Sequence, residues 1–408
     1  MSDSITATLR LARARNVGPV TYRKLVRVFG SAEAALAASR ERLLEIPDVT
    51  PRMADGVAAA KNDPWAEEEV QRARDRGVKL ISLDDPLYPR LLLSTYDPPP
   101  VLYLDGSLLV EDALSVAIVG SRHCSHYGRE QAESLAEGLA RAGFTVVSGL
   151  ARGIDTCAHQ GALKAERART IGVLGNGIGH VYPPENVKLY EQIAGNGGEH
   201  GGILSELPLD TPPASQHFPG RNRIIAGMTL GTIVIEGTET SGSLITARYA
   251  VDMNREVFAV PGSVQSPNSR GPHSLIKRGA KLVENVEDVL DELREVADPL
   301  VRIRPVEQRV RSASASQNRS QKFQAPEASL LEAAEDGDAR PSSTDLRALN
   351  LNPREQILYD LLDHSSAKSV DDLIVSSKLQ AHEVLATMLV LEVKRLCRQL
   401  PGKRFLKA

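Results

Sequence analysis

The chain has 408 residues, of which 42% are hydrophobic and 25% are charged, and its formal net charge is −3. These values are typical of a globular protein with two to four domains and a core of ordinary size. They exclude a chain that is basic over its whole surface, so any surface that binds nucleic acid must be local.

The N-terminal sequence MSDSITATLRLARARN has no apolar stretch typical of a secretory signal, and no long uncharged apolar span follows. The sequence therefore predicts a cytoplasmic protein with no membrane segment. The three cysteines form no CxxC pair, which argues against a disulfide framework or a zinc knuckle and favours a reducing cytosol.

Residues 1–65 are predicted to form a helical domain with two similar halves. Each half places a turn between two helical segments, at Val17-Gly18-Pro19 and at Pro47-Asp48-Val49. This arrangement resembles a tandem helix-hairpin-helix unit, in which amides at a helix start can contact a phosphate. Six basic residues and no acidic residue lie between positions 5 and 30. A small packing domain with a solvated basic face would explain the same pattern.

Residues 63–112 are predicted to be a connector that contains a loop, a short strand and a turn. From 115 to 294, short β-branched runs alternate with helical patterns, for example at 129–142 and 243–253. The alternation predicts βαβ units and therefore an α/β domain with a doubly wound, mostly parallel sheet. In such a sheet the loops that follow the strands meet at one edge, where ligands bind.

The C-terminal part changes in composition. Residues 298–350 are rich in Ser, Ala, Gln and charge and have almost no aromatic residues, which predicts a flexible linker. Residues 351–408 become periodic again, and three helices with a short hairpin predict a winged-helix-like module. The predicted domains are therefore 1–65, 66–297 and 351–408, with the linker at 298–350.

The loop Gly120-Ser121-Arg122 follows the first predicted strand, SVAIV, and precedes a helix predicted to begin near Gly128. Glycine allows close approach of the backbone to a ligand, serine donates a hydroxyl, and arginine binds phosphate through two N–H groups. The loop does not match G-x-G-x-x-G, no acidic residue ends the next strand, and no Walker A motif occurs. We therefore predict an anion-binding loop and no cofactor.

The second loop is SGLARGID, in which Gly149 and Gly153 shape a turn after Ser148. Asp155 lies near a helix start, where a carboxylate caps well. His159 follows one turn later, so a general acid/base pair is an alternative to capping.

The stretch HFPGRNR, from His217, combines an aromatic residue with two arginines. Phe218 lies in a predicted polar loop, and Arg221 and Arg223 follow it before a predicted helix. Proteins that bind single strands stack bases on aromatic rings and neutralise the backbone with cations. The alternative is that Phe218 belongs to the core and that Arg221 pairs with Glu236.

The loop TETSGS supplies hydroxyls and amides at another helix start, which favours anion binding over a nucleophilic serine, since no base is evident nearby. Lys277 and Arg278 could extend a basic track or form a solvated face. The cluster His123-Cys124-x-His126 has no known metal spacing, so no metal is predicted.

Taken in order, these loops resemble those of the DNA processing protein A (DprA/Smf) family. The matching stretches lie within 75–295 and include IVGSR, SGLARGID, VLGNGI, FPGRNRIIAG, EGTETSGSLITARYA and VFAVPGS. The resemblance implies an extended Rossmann-like domain between an N-terminal helix-hairpin-helix or SAM-like domain and a C-terminal winged-helix-like domain. It implies a non-enzymatic, homodimeric protein that binds single-stranded DNA, protects it and loads RecA recombinase onto it during natural transformation. The residues predicted to bind single-stranded DNA are Gly120, Ser121, Arg122, Ser148, Gly149, Gly153, Phe218, Arg221, Arg223, Ser241, Gly242, Ser243 and Lys277.

Two alternatives come from other functional classes. Nucleotide phosphoribohydrolases have a related Rossmann-like fold with a PGGxGTxxE loop, and Glu236 could be the matching catalytic acid. The PGGxGT motif is absent, because Gly231 and Thr232 precede the predicted strand with no PGG before them. A scaffold that binds only proteins is the second alternative.

Overall fold

The computed structural model describes residues 2–293 and, further on, residues 353–363, 368–377, 396–400 and 404–407 with a few single positions. These residues belong to two structural units, one before and one after the predicted linker. The linker itself, at 298–350, lies outside the described residues.

The first unit opens with helices that form the two predicted hairpins. They are α1 (Ser2–Arg13), α2 (Pro19–Phe29), α3 (Ala32–Ala37), α4 (Arg40–Leu44), α5 (Pro51–Ala60) and α6 (Trp65–Asp75). Proline at the first position starts α2, and Gly30 ends it with a φ of 87°, a conformation that glycine adopts without strain. Ser31 and Thr50 cap α3 and α5 by accepting backbone N–H groups. The helices pack around Leu11, Leu25 and Leu43, which are almost completely buried.

The segment 63–112 contains more regular secondary structure than the predicted connector. It contains α6, β1 (Lys79–Ser82), α7 (Arg90–Leu93) and β2 (Val101–Gly106). The short strand was predicted, but both β1 and β2 belong to the main sheet, where β2 pairs antiparallel with a strand about 100 residues later. The prediction was wrong here because such a pairing partner is not visible in the local pattern.

The main sheet has nine strands among the described residues. After β1 and β2 these are β3 (Ser115–Gly120), β4 (Thr145–Ser148), β5 (Thr170–Val173), β6 (Gly201–Ser205), β7 (Gly231–Ile235), β8 (Glu256–Ala259) and β9 (Lys281–Leu282). Their order is β1-β2-β6-β5-β4-β3-β7-β8-β9, and every pair from β6 to β9 is parallel. The chain runs outwards from β3 to β6 and then returns to the other side at β7. The doubly wound sheet is confirmed, with its switch point between β3 and β7.

Helices cover both faces of this sheet. They are α8 (His126–Arg141), α9 (Ile154–Ala162), α10 (Val187–Ala194), α11 (His217–Gly227), α12 (Gly242–Asp252) and α13 (Arg270–Ile276), followed by a helical stretch over 286–293. Successive residues of β3 face opposite sides. Val116 packs in the cluster that contains residues of α8 and α9, whereas Ala117 packs with residues of α11 and α12. Burial on both faces explains the continuous apolar runs of the strands.

The N-terminal helices also pack against the sheet. Leu9 of α1 and Val70 of α6 lie in one cluster with Tyr103 of β2 and Ile203 of β6. The helical segment and the α/β segment therefore share a core.

The second unit contains α14 (Pro353–Leu361), β10 (Lys368–Ser369), α15 (Val370–Ser377), β11 (Cys397–Leu400) and β12 (Arg404–Lys407). The strands form a sheet in the order β10-β12-β11, and Leu358, Leu373 and Phe405 are buried in its core. The winged-helix prediction is confirmed. Most of the predicted third helix lies outside the described residues.

Candidate nucleic-acid interface

A small cleft lies at the carboxyl edge of the sheet, beside the loops that follow β3, β4 and β5 and the first turns of α11. It is the edge at which the loops were predicted to meet. The cleft is lined by Arg122, Gly149, Ala151, Arg152, Leu174, Gly175, Asn176, Tyr182, Pro183, Phe218 and Arg221. Four of the predicted site residues therefore come together here.

Phe218 is half-buried in this cleft and lies outside the hydrophobic clusters of the described residues. Its ring centre is 5.0 Å from the Arg122 guanidinium carbon and 5.7 Å from that of Arg221. The ring also lies against the backbone of Gly175, where a Cβ atom would be only 2.8 Å from Cδ1 of Phe218. A half-buried aromatic ring near one exposed and one buried guanidinium is a suitable platform for a base.

Phe218 belongs to a helix rather than to the predicted loop. Helix α11 begins at His217, and the side chain of Gln216 before it makes no capping hydrogen bond. The start was missed because Pro219 and Gly220 interrupt the helical pattern, although proline is tolerated in a first turn.

Arg122 extends from the loop after β3 and is exposed. The loop is held against the loop after β4, since the carbonyl of Ser121 accepts the N–H of Ile154. Gly153 has a φ of 77°, and a Cβ atom there would be 2.3 Å from the Ser121 carbonyl oxygen. Gly120 is packed equally closely, because a Cβ atom would be 1.8 Å from the carbonyl oxygen of Ile235. Glycine is required at both positions because a Cβ atom would clash with the neighbouring backbone.

Arg221 forms the buried floor of the cleft and is only 5% exposed. Its Nη1 donates to the carbonyl oxygens of Gly149, at 2.6 Å, and Val173, at 2.5 Å. Burial lowers the pKa of Arg221 to about 10, opposed by the negative charge of Asp155. The predicted alternative, a pair with Glu236, is wrong. Arg221 instead joins the ends of β4 and β5, so its guanidinium shapes the cleft.

Asp155 and His159 are both buried beneath the second loop. Asp155 accepts the backbone N–H groups of Gly149, at 3.1 Å, and Ala151, and burial raises the pKa of its carboxyl group. His159 contacts the hydroxyl of Thr170 through Nδ1, and burial lowers its pKa to about 3. The carboxylate therefore anchors the loop that precedes its own helix, and the imidazole is neutral at physiological pH.

Two predicted site residues, Ser148 and Arg223, use their polar side-chain atoms to bind other protein groups away from the cleft. Ser148 is completely buried and donates its hydroxyl to the carbonyl of Ile118. Arg223 is ion-paired with Glu206 and Asp97, and its side chain is 9% exposed. Because both side chains are buried, these partners are necessary: a buried polar group or charge without a partner is costly.

Helix α12 begins beside the end of β7 with Ser241, Gly242 and Ser243. The two serine hydroxyls are 2.9 Å apart, and Ser243 is buried while Gly242 is exposed. Lys277 is exposed at the end of α13. These four residues are not among those that line the cleft.

Glu236, the acid of the phosphoribohydrolase alternative, is hydrogen-bonded to Ser125 at the start of α8. Its carboxylate accepts the N–H of Ser125, at 2.7 Å, and the hydroxyl of the same residue. A Cβ atom at Gly128 would be 2.6 Å from its Oε2. Glu236 thus joins β7 to the first turn of α8 and is 7% exposed.

Sequence reasoning missed Arg152, Asn176 and Tyr182, which also line the cleft. Arg152 pairs with Glu185 at 2.7 Å, and Asn176 donates to the carbonyl of His180 within its own loop. The ring centre of Tyr182 is 6.1 Å from that of Phe218. The signal available in the sequence was an aromatic residue before two prolines in a glycine-rich loop.

Within the part of the chain that the structure describes, no group of three or more His, Cys, Asp or Glu side chains is placed to hold a metal ion. No helix in that part has the length and apolar character needed to cross a membrane.

Three family models match successive parts of the chain. The model described as DNA recombination-mediator protein A matches residues 79–294, which is more than half of the chain. This protein belongs to the DprA family. The other two models agree with that assignment, since a DprA-like N-terminal HHH domain matches residues 2–70 and a DprA winged helix domain matches residues 340–403.

Individual relatives support the same family. The DNA processing protein DprA of Bacillus subtilis is 43% identical over 244 residues, which are 58% of this chain and 80% of that protein. Protein Smf of Synechocystis sp. is 37% identical over 289 residues, 70% of this chain and 71% of that protein. The X-ray structure of DprA from Streptococcus pneumoniae has a TM-score of 0.62 and 34% identity, and covers 71% of this chain and 98% of that chain. The resemblance seen in the loop motifs is confirmed.

Proposed function

We propose that this protein binds single-stranded DNA in the cleft around Phe218, protects incoming DNA and loads RecA recombinase onto it during natural transformation. It acts in the cytoplasm as a homodimer and is not an enzyme. Family membership supports the DNA-processing role, and the RecA and dimer parts rest on the family resemblance. The observation that carries single-strand binding is the half-buried ring of Phe218, with two guanidiniums near it, at the ligand-binding edge of the sheet.

The cleft fits a single strand for two chemical reasons. The guanidinium of Arg122 is exposed beside the Phe218 ring and can donate to a phosphate, whereas that of Arg221 is held by backbone carbonyls. The aromatic ring beside Arg122 offers a face to a base, and a duplex hides its base faces inside the stack. Phosphate and base are therefore contacted side by side.

The same geometry supports a binding protein rather than a hydrolase. The carboxylate of Glu236 already accepts two hydrogen bonds from Ser125. The buried Ser243 contacts Ser241 rather than a base. Neither group is placed as a general acid or a nucleophile toward the cleft.

The test compares single-stranded and duplex DNA across a salt series, with the full-length protein because the helical segment shares a core with the sheet. We expect preference for the single strand and a linear fall of log affinity with log salt. Each neutralised phosphate contributes about −0.7 to that slope. Equal binding of both forms, or affinity that does not change with salt, would contradict the proposal.

Arg122→Ala should weaken binding to every sequence by a similar factor, because a phosphate contact carries no base information. The salt slope should become shallower by about 0.7 for one lost phosphate contact. The melting temperature should change little, since Arg122 is exposed. Arg141→Ala is the matched control: it removes the same charge from an exposed position at the far end of α8. A slope that falls equally in both variants would assign the effect to net charge rather than to a contact.

A further inference from the structure

A cluster of charged residues joins α6 to the loop over residues 206–216 that leads into α11. Arg72 and Arg76 each donate through Nη1 to one carboxylate oxygen of Asp210, both at 2.8 Å. Glu69 is completely buried, accepts the backbone N–H of Leu209 at 2.8 Å, and also pairs with Arg72. We call Glu69, Arg72, Arg76 and Asp210 the α6 clamp. It holds the 206–216 loop at two successive residues.

The α6 clamp reaches the loop after β5 as well. The N–H of Gly179 donates to the carbonyl of Leu209, and that of Gly177 to the carbonyl of Thr211, both at 2.9 Å. The Arg76 guanidinium lies against Gly179, where a Cβ atom would be 2.7 Å from Nη1. The two loops are therefore bound to each other and, through Leu209 and Asp210, to α6.

These two loops determine where the Phe218 ring lies. The loop after β5 contains Gly175, whose backbone contacts one edge of the ring, and the 206–216 loop ends at α11, which carries Phe218 itself. Movement of Leu209 or Asp210 would shift both the support and the start of that helix. Base stacking requires close and parallel contact, so a small displacement of the ring weakens it.

We propose that the α6 clamp positions Phe218 for base stacking, so that a helix of the N-terminal segment contributes to DNA binding without touching DNA. The inference rests on the proposed function. Arg72, Arg76 and Asp210 are positioning residues. Their side chains are 40–47% exposed, and exposed ion pairs contribute little to global stability. Loss of Asp210 should therefore loosen the loop, which Glu69 still holds at Leu209, and leave the fold intact.

The test uses an oligothymidylate and an abasic oligonucleotide of equal length. Both have the same phosphates, so the ratio of their affinities isolates the contribution of the bases. Phe218→Ala should lower this ratio by about 5- to 150-fold, the range for one stacked base. Asp210→Asn should lower it several-fold, and Arg76→Gln, which removes the other side of the same contact, should do so too. Asp252→Asn is the matched control: it makes the same charge change at an exposed position on α12 and should leave the ratio unchanged.

A double variant separates positioning from an independent effect. If Asp210 acts through Phe218, Phe218→Ala with Asp210→Asn should have the same ratio as Phe218→Ala alone. Additive losses, or an unchanged ratio in both Asp210→Asn and Arg76→Gln, would overturn the positioning role while the proposed function stands. A ratio that Phe218→Ala leaves unchanged would instead overturn the stacking mechanism itself.

Discussion

Arg221→Ala is expected to lower the free energy of unfolding by about 3–5 kcal/mol, the range for removing one partner of a buried charged network. The change would remove the Arg221 N–H donor from the carbonyl oxygens of Gly149 and Val173, and would remove the positive charge of Arg221 from the surroundings of the buried Asp155. Each unsatisfied buried group adds to the loss. Chemical denaturation monitored by circular dichroism would measure it.

Arg122→Ala serves as the comparison for stability. Both guanidiniums lie near the Phe218 ring, but Arg122 is exposed and Arg221 is buried. We expect the exposed substitution to change the free energy of unfolding by no more than about 0.5 kcal/mol. If Arg221→Ala were equally mild and mainly reduced affinity, Arg221 would be a DNA contact and its role in joining β4 to β5 would be minor.

Phe218→Ala is expected to reduce single-strand affinity by about 1–3 kcal/mol, the contribution of one base stacked on an aromatic ring. The salt slope should stay unchanged, because the substitution removes no phosphate contact. Stability should fall only slightly, since the ring is half-buried at the cleft. Fluorescence anisotropy with a labelled oligonucleotide over a salt series measures affinity and slope together.

Phe218→Tyr is the control, since it keeps the aromatic face and should largely preserve binding. A loss of about 3–5 kcal/mol in unfolding free energy on truncation to alanine would instead mark Phe218 as a core residue. A steeper or shallower salt slope in Phe218→Ala would mean that the neighbouring Arg122 moves with the ring.

The parallel sheet and its ligand-binding edge were predictable from the sequence because they depend on local patterns. Continuous β-branched runs and intervening helical periods predict βαβ units, and the glycines that follow each run mark the loops. Helices α8 and α12 begin and end within three residues of their predicted bounds. The order of the loop motifs was also sufficient to identify the family.

Other features depend on partners distant in the chain and were decided only by the tertiary structure. The antiparallel pairing of β2 with β6 joins positions about 100 residues apart. The contrast between Arg122 and Arg221 is likewise invisible in the sequence, since both arginines lie in polar stretches that were predicted to be loops. One is exposed and the other is covered by the ends of β4 and β5, because only folding brings the Gly149 and Val173 carbonyls to Arg221. Local periodicity determines which residues form strands, helices and loops, whereas the burial of each charge is determined by the packing of separate segments.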